Sequence, residues 1–151
     1  MRVMITGSFD PPTLGHLDII KRASMLFGEV VVVIAENSEK KYAYPLETRL
    51  KMLNACTNDL SNVSVDVCQG LVAEYATANG IDAIVKGVRS PLDLDYECVL
   101  DRVNKTISPI ETIFLAASPE YSFVSSTVAR EMIKYHQDLE KYLPPEVAKL
   151  I

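Results

Sequence analysis

The segment Val30-Val31-Val32-Val33-Ile34-Ala35 restricts the possible folds of this chain more than any other. It is apolar at every position, so a strand built from it is hydrophobic on both faces. β-branched residues crowd a helix and suit a pleated surface, which favours the strand. The segment is far short of the roughly 20 apolar residues that cross a bilayer. It therefore requires a sheet covered above and below, as parallel sheets are.

The rest of the chain supplies that cover. Val3–Ile5 reads as a strand, and Leu14, Leu17, Ile20 and Ala23 follow at helical spacing. Leu46, Leu50 and Leu53 mark a second helix, and Val63, Val65 and Val67 alternate as a strand. A third helix carries Leu71, Val72, Tyr75 and Ala76, with Gly80 closing it. Ile81–Val85 is the fourth strand. Ser90-Pro91, a cap followed by proline at the first helical position, opens a long helix with an apolar face of Leu92, Tyr96, Val99, Val103 and Ile107. Thr112–Ala116 is the fifth strand and Ser125–Tyr135 the next helix, while Leu143-Pro144-Pro145 precedes a short C-terminal helix. This alternation predicts an α/β fold: a doubly wound, five-stranded parallel sheet with helices on both faces, as one domain over residues 1–151. The one long loop is Glu36–Pro45.

Charge narrows the function. The chain carries 15 Lys+Arg against 20 Asp+Glu, a net charge of −5. That excludes a surface coated by nucleic acid, which needs broad positive charge. It leaves room for a small anionic ligand held by a few local cations. Cys56, Cys68 and Cys98 are odd in number and form no metal-ligand cluster, so no metal site is expected. They read as small buried thiols in a reducing cytoplasm. No apolar run is long enough for a signal peptide or a membrane span.

In open α/β sheets, ligands bind at the carboxyl ends of the strands. Strand one leads into Gly7-Ser8-Phe9-Asp10-Pro11-Pro12-Thr13-Leu14-Gly15-His16, strand two towards Lys40, strand four into Lys86-Gly87-Val88-Arg89, and strand five into Tyr121-Ser122-Phe123-Val124-Ser125-Ser126-Thr127. Thr13 is a good helix cap, which places His16 in the first turn, where an uncharged imidazole can donate to a phosphate oxygen. Arg130 follows the start of another helix, where a cation is misplaced unless an anion shares the site. Taken singly, the same residues have plainer readings. Lys40 is an ordinary loop lysine, Arg89 pairs with Asp93 or Asp95, and Ser125-Ser126-Thr127 is a cap cluster. His136 reads as surface. The convergence of these loops at one end of the sheet favours phosphate chemistry.

Together these residues resemble the nucleotidyltransferase superfamily with the Thr-x-Gly-His motif, here Thr13-Leu14-Gly15-His16. Within it the chain is similar to the bacterial phosphopantetheine adenylyltransferase family. Further matches are Gly7-Ser8-Phe9-Asp10-Pro11, Lys40-Lys41, Gly87-Val88-Arg89, Asp95-Tyr96-Glu97, the Tyr121–Thr127 segment and Leu143-Pro144-Pro145-Glu146-Val147. The resemblance implies a Rossmann-like sheet. It also implies transfer of the adenylyl group of ATP to 4′-phosphopantetheine, giving dephospho-coenzyme A and pyrophosphate, with Mg2+ on the ATP phosphates. It assigns catalysis to His16, Lys40 and Arg89. Ser8, Lys40, Val72 and Lys86 would hold phosphopantetheine. Ser8, Phe9, His16, Gly87, Val88, Arg89, Glu97 and Tyr121, Ser122, Phe123, Val124, Ser125, Ser126 and Thr127 would hold ATP. A homohexamer and feedback inhibition by coenzyme A are further implications.

Some positions depart from the family pattern. Lys86 stands where arginine is usual against the substrate phosphate, keeping the charge without the bidentate fork. Val99 replaces a common glutamine and Thr6 a common proline. The competing readings are a nicotinate mononucleotide adenylyltransferase, a glycerol-3-phosphate cytidylyltransferase, or a non-catalytic nucleotide-binding module. The last has no need of His16 together with a second anion site.

Overall fold

The computed structural model describes residues 1–151. Its sheet contains β1 (Arg2–Gly7), β2 (Glu29–Ala35), β3 (Val63–Cys68), β4 (Ala83–Val88) and β5 (Glu111–Ala116), ordered β3-β2-β1-β4-β5. All four pairings are parallel. β1 and β2 run in register from Arg2 opposite Glu29 to Gly7 opposite Ile34. The chain winds one way from β1 to β3 and the other way from β4 to β5. The switch falls between β1 and β4, which opens a crevice at their carboxyl ends.

The valine-rich run does what its composition requires. Val30, Val32 and Ile34 enter one core with Val3, Ile5, Ile19, Ile20 and Leu53, under α1 (Leu14–Leu26) and α2 (Leu46–Thr57). Val31 and Val33 enter the opposite core with Met4, Ala73, Ala76 and Ile84, under α3 (Val72–Ala78). A third cluster joins Met52 and Cys56 of α2 to Ala129 of α5 (Ser126–Lys134), Leu143, and Val147 of α6 (Pro145–Ala148). The C-terminal segment thus forms an outer layer on the α1/α2 side. Gly80 has φ of +61° and closes the turn after α3, where a side chain would be strained.

Two expectations need correction. The fourth strand begins at Ala83 and continues through Val88, so Lys86, Gly87 and Val88 pair with Phe114, Leu115 and Ala116 rather than lying in a loop. The second concerns α4 (Pro91–Lys105). An apolar stripe at helical spacing ordinarily faces a core. Here α4 buries no residue, and Leu92, Tyr96, Val99 and Val103 are at least half exposed. The helix runs beside β4 and the edge strand β5, where too little sheet remains to cover its stripe.

Candidate active site

The site begins at the junction of β1 and α1. Thr13 caps α1, its hydroxyl accepting from the His16 amide at 3.3 Å, while the Thr13 amide donates to His16 Nδ1 at 3.0 Å. Histidine thus takes the place that glutamate or glutamine fills in a common capping box. Because Nδ1 accepts, the uncharged ring carries its proton on Nε2. The buried Phe9 ring packs edge-on against the imidazole, with centroids 5.0 Å apart. Burial, and secondarily the charge of Arg89, lowers the His16 pKa from 6.5 to about 4. His16 at neutral pH is therefore an uncharged donor at a helix N-terminus, suited to a phosphate oxygen and already oriented.

Two cavities meet at this histidine. The first, about 310 Å3, lies over the carboxyl ends of β1 and β4. Ile5, Ile19, Val85 and Val124 give it apolar walls, and Lys86, Arg89, Glu97, Tyr121 and Ser125 give it polar groups. Gly87 is required there because a Cβ would come within 2.7 Å of the Ile19 side chain. Arg89 pairs with Asp93 at 3.0 Å and donates to the Val124 carbonyl at 3.1 Å, tying the end of β4 to the segment before α5. Lys86 lies 3.5 Å from Glu97 of α4 and donates to the Thr6 carbonyl at 3.3 Å.

The second cavity, about 510 Å3, is cationic. Lys40, Lys41 and Arg130 line it with Ser8, Ser126 and Thr127. Lys40 Nζ lies 3.2 Å from the Ser8 hydroxyl. Arg130 donates to the Asp10 carbonyl at 2.6 Å and to the Thr127 hydroxyl at 3.2 Å, and so spans the β1–α1 and α5 segments. Phe9, His16 and Ser126 line both cavities.

The strand-end residues singled out from the sequence therefore sort into two groups around His16. Lys86, Gly87, Arg89, Glu97, Tyr121, Val124 and Ser125 belong to the first cavity, and Ser8, Lys40 and Thr127 to the second. Val88, Ser122 and Phe123 line neither; the Phe123 ring instead meets Tyr142 edge-on, 6.0 Å away. Val72 packs against the core beneath α3. Lys86 lines the first cavity and the Ser8–Lys40 pair the second, with Phe9, His16 and Ser126 common to both.

Sequence reading missed two residues that hold the site together. The buried Asp10 carboxylate accepts from the Ala43 and Tyr44 amides at 2.8 and 2.9 Å, which pins the Glu36–Pro45 loop. Arg49 of α2 is buried and donates to the Ser8 and Tyr44 carbonyls. Its signal was available: Arg49 lies three residues after Leu46 and four before Leu53, a charge on the apolar stripe.

A parallel sheet with its crevice at the topological switch, and a neutral histidine at a helix N-terminus in the wall shared by two cavities, define a nucleotide-handling α/β protein. The cytidylyltransferase-like family model matches residues 4–132. A phosphopantetheine adenylyltransferase of Corynebacterium diphtheriae is 42% identical over 151 residues, covering 99% of this chain and 95% of that protein. Its namesake in Thermosynechococcus vestitus is 43% identical over 150 residues, covering 99% and 89%. The crystal structure of a putative nicotinate-nucleotide adenylyltransferase from Vibrio parahaemolyticus superposes with a TM-score of 0.72 at 20% identity, over 99% of this chain and 90% of that one, and shares the fold. The chain belongs to the cytidylyltransferase-like nucleotidyltransferases and, within them, to the phosphopantetheine adenylyltransferase family.

Proposed function

We propose that this enzyme transfers the adenylyl group of ATP to 4′-phosphopantetheine, yielding dephospho-coenzyme A and pyrophosphate. The observation that carries the reading is the place of His16, with its ring proton on Nε2, in the wall shared by the two cavities. ATP occupies the first cavity, its base and ribose against the apolar walls beside Glu97 and Tyr121. Its phosphates run past His16 and Arg89 towards the start of α5. Ser8 and Lys40 hold the acceptor phosphate. An acceptor oxygen forms a bond to the α-phosphorus in line as the bond to the pyrophosphate oxygen breaks. His16 donates to the α-phosphate oxygens as their charge grows, and Lys40 and Arg89 offset the repulsion between two anions. Positioning and preorganised charge suffice, and no side chain need become covalently attached.

Mg2+ enters this reading on the ATP phosphates. The nearby carboxylates do not form a cage for an ion: Asp10 is engaged by two amides, Asp93 by Arg89 and Glu97 by Lys86.

The exposed apolar stripe of α4 supports self-assembly, and a homohexamer is the proposed state. Coenzyme A shares the pantetheine arm and an adenine nucleotide with the reactants, which supports feedback inhibition by competition for both cavities. A cytoplasmic location is in keeping with three free cysteines; no helix is long and apolar enough to cross a membrane.

The deciding experiment offers ATP with 4′-phosphopantetheine, nicotinate mononucleotide or glycerol 3-phosphate, with CTP as alternative donor. Pyrophosphate release with ATP and phosphopantetheine alone is expected; release only with another pair overturns the reading. Lys86→Arg should preserve or tighten phosphopantetheine binding, and clear weakening would place Lys86 away from the acceptor phosphate.

A further inference from the structure

We infer that Arg49 is a positioning residue that sets the acceptor-phosphate side of the site by locking the Glu36–Pro45 loop to the end of β1. This rests on the reading of Ser8 and Lys40 as the acceptor-phosphate ligands. Arg49 is 1% exposed, although it carries a full charge. Burying a guanidinium costs so much desolvation that an apolar residue of similar size usually serves packing better. Its worth must therefore lie in what the fork holds, and its partners come from separate segments. Nη1 donates to the Ser8 carbonyl at 2.9 Å, just past β1. Nε donates to the Tyr44 carbonyl at 3.0 Å, within the loop. Nη2 pairs with the Glu36 carboxylate at the end of β2, and the Tyr42 ring lies 4.0 Å from the guanidinium carbon.

Ser8 links this buried fork to the ligand side. Its carbonyl is held by Arg49, while its hydroxyl lies 3.2 Å from Lys40 Nζ on the cavity wall. Lys40 itself belongs to the loop that Arg49 grips at Tyr44 and Glu36. Releasing the guanidinium frees both groups at once, Ser8 through its carbonyl and Lys40 through the loop. The first cavity has no Arg49 contact among its walls, so ATP binding should be spared. Lysine keeps the charge but lacks the planar fork that reaches all three acceptors.

The test compares Arg49→Lys and Glu36→Gln with the wild-type enzyme. Losing charge-assisted hydrogen bonds should raise the KM for phosphopantetheine about tenfold in Arg49→Lys. The Kd for ATP, measured without acceptor, should stay within about twofold, less than one lost neutral hydrogen bond would change it. Amide exchange should quicken at Ala43 and Tyr44 while β1 and β2 keep their protection. Glu36→Gln retains an oxygen acceptor and should show the same pattern more weakly; if Arg49→Lys does not fold, this variant decides alone. An unchanged KM for phosphopantetheine in a folded variant overturns the inference. So does equal weakening of both substrates with exchange spreading into β1 and β2, which marks a plain core residue. If the wild-type enzyme refuses phosphopantetheine, the functional reading fails, and the exchange pattern still decides whether Arg49 locks the loop.

Discussion

Helices α1 and α4 begin alike and end in opposite circumstances. Each follows a central strand, opens onto the first cavity and has a side-chain cap, Thr13 for α1 and Ser90 for α4. Yet α1 buries Leu17, Ile19, Ile20 and Ala23, whereas α4 buries nothing. The β1–α1 corner is held from every side, by the cap, the Phe9 ring, the Asp10 clamp and Arg130. The apolar stripe of α4 has nothing over it within its own chain. A cap is a local contract among neighbouring residues, whereas burial depends on what the rest of the fold brings near. The reacting groups sit in the first environment. The second is free to meet another surface.

The largest test of this contrast removes the best-held group. His16→Ala should lower kcat roughly 10²–10³-fold, the range for losing one preorganised donor to a developing oxyanion, while ground-state ATP binding changes less. A variant with wild-type turnover, measured by pyrophosphate release, would remove His16 from the chemistry.

Next in size is the difference in packing. Ile20→Ala creates a cavity in a full core and should cost about 2–5 kcal/mol of stability in urea. Val103→Ala on α4 should cost little within one chain, near the 0.5 kcal/mol typical of surface changes. Val103→Asp should shift sedimentation towards smaller species if the stripe is an interface. Equal losses at Ile20 and Val103 would erase the contrast between the two helices.

Cap removal is subtler. Thr13→Ala and Ser90→Ala should each lose about 1 kcal/mol of stability. Only Thr13→Ala should also depress kcat, because the Thr13 hydroxyl lies 3.0 Å from His16 Nδ1 and helps the Thr13 amide orient the imidazole. A comparable kcat loss in Ser90→Ala would show that the two caps do not differ in function.

The smallest effect is in pH. The His16 ring should titrate by NMR near pH 4, with Arg89→Met moving it partway back towards 6.5, because burial is the larger cause. Since the folded pKa is the lower one, the unfolded chain takes up the proton first as pH falls. The stability contributed by neutral His16 is therefore complete above about pH 6.5 and is lost between 6.5 and about 4. A midpoint near 6.5 in the folded enzyme would mean that the ring is not held neutral.

Much of this is legible in the amino-acid sequence. The doubly alternating pattern, the two-faced valine strand, the Thr13 cap with His16 behind it, and the Ser90-Pro91 helix start all depend on residues a few positions apart. Backbone geometry and hydrogen bonding settle such features locally. The position of Lys86 was harder to read: a strand boundary moved by a few residues turned a supposed loop cation into a strand residue facing Glu97.

Strand order, and with it the crevice between β1 and β4, emerges only when helices choose their faces of the sheet. Asp10 reaches Ala43, Arg49 reaches Ser8 and Arg89 reaches Val124 across 33, 41 and 35 residues of chain. Hydrophobic periodicity says that a stripe needs cover, not what supplies it, which is why α4 read as an ordinary amphipathic helix. Residues a few positions apart specify the elements, their caps and the chemistry carried by each strand end. Tertiary structure decided which of those ends share a cavity, which charge is buried to hold them and which apolar face stays open, because these follow from long-range packing rather than from neighbours along the chain.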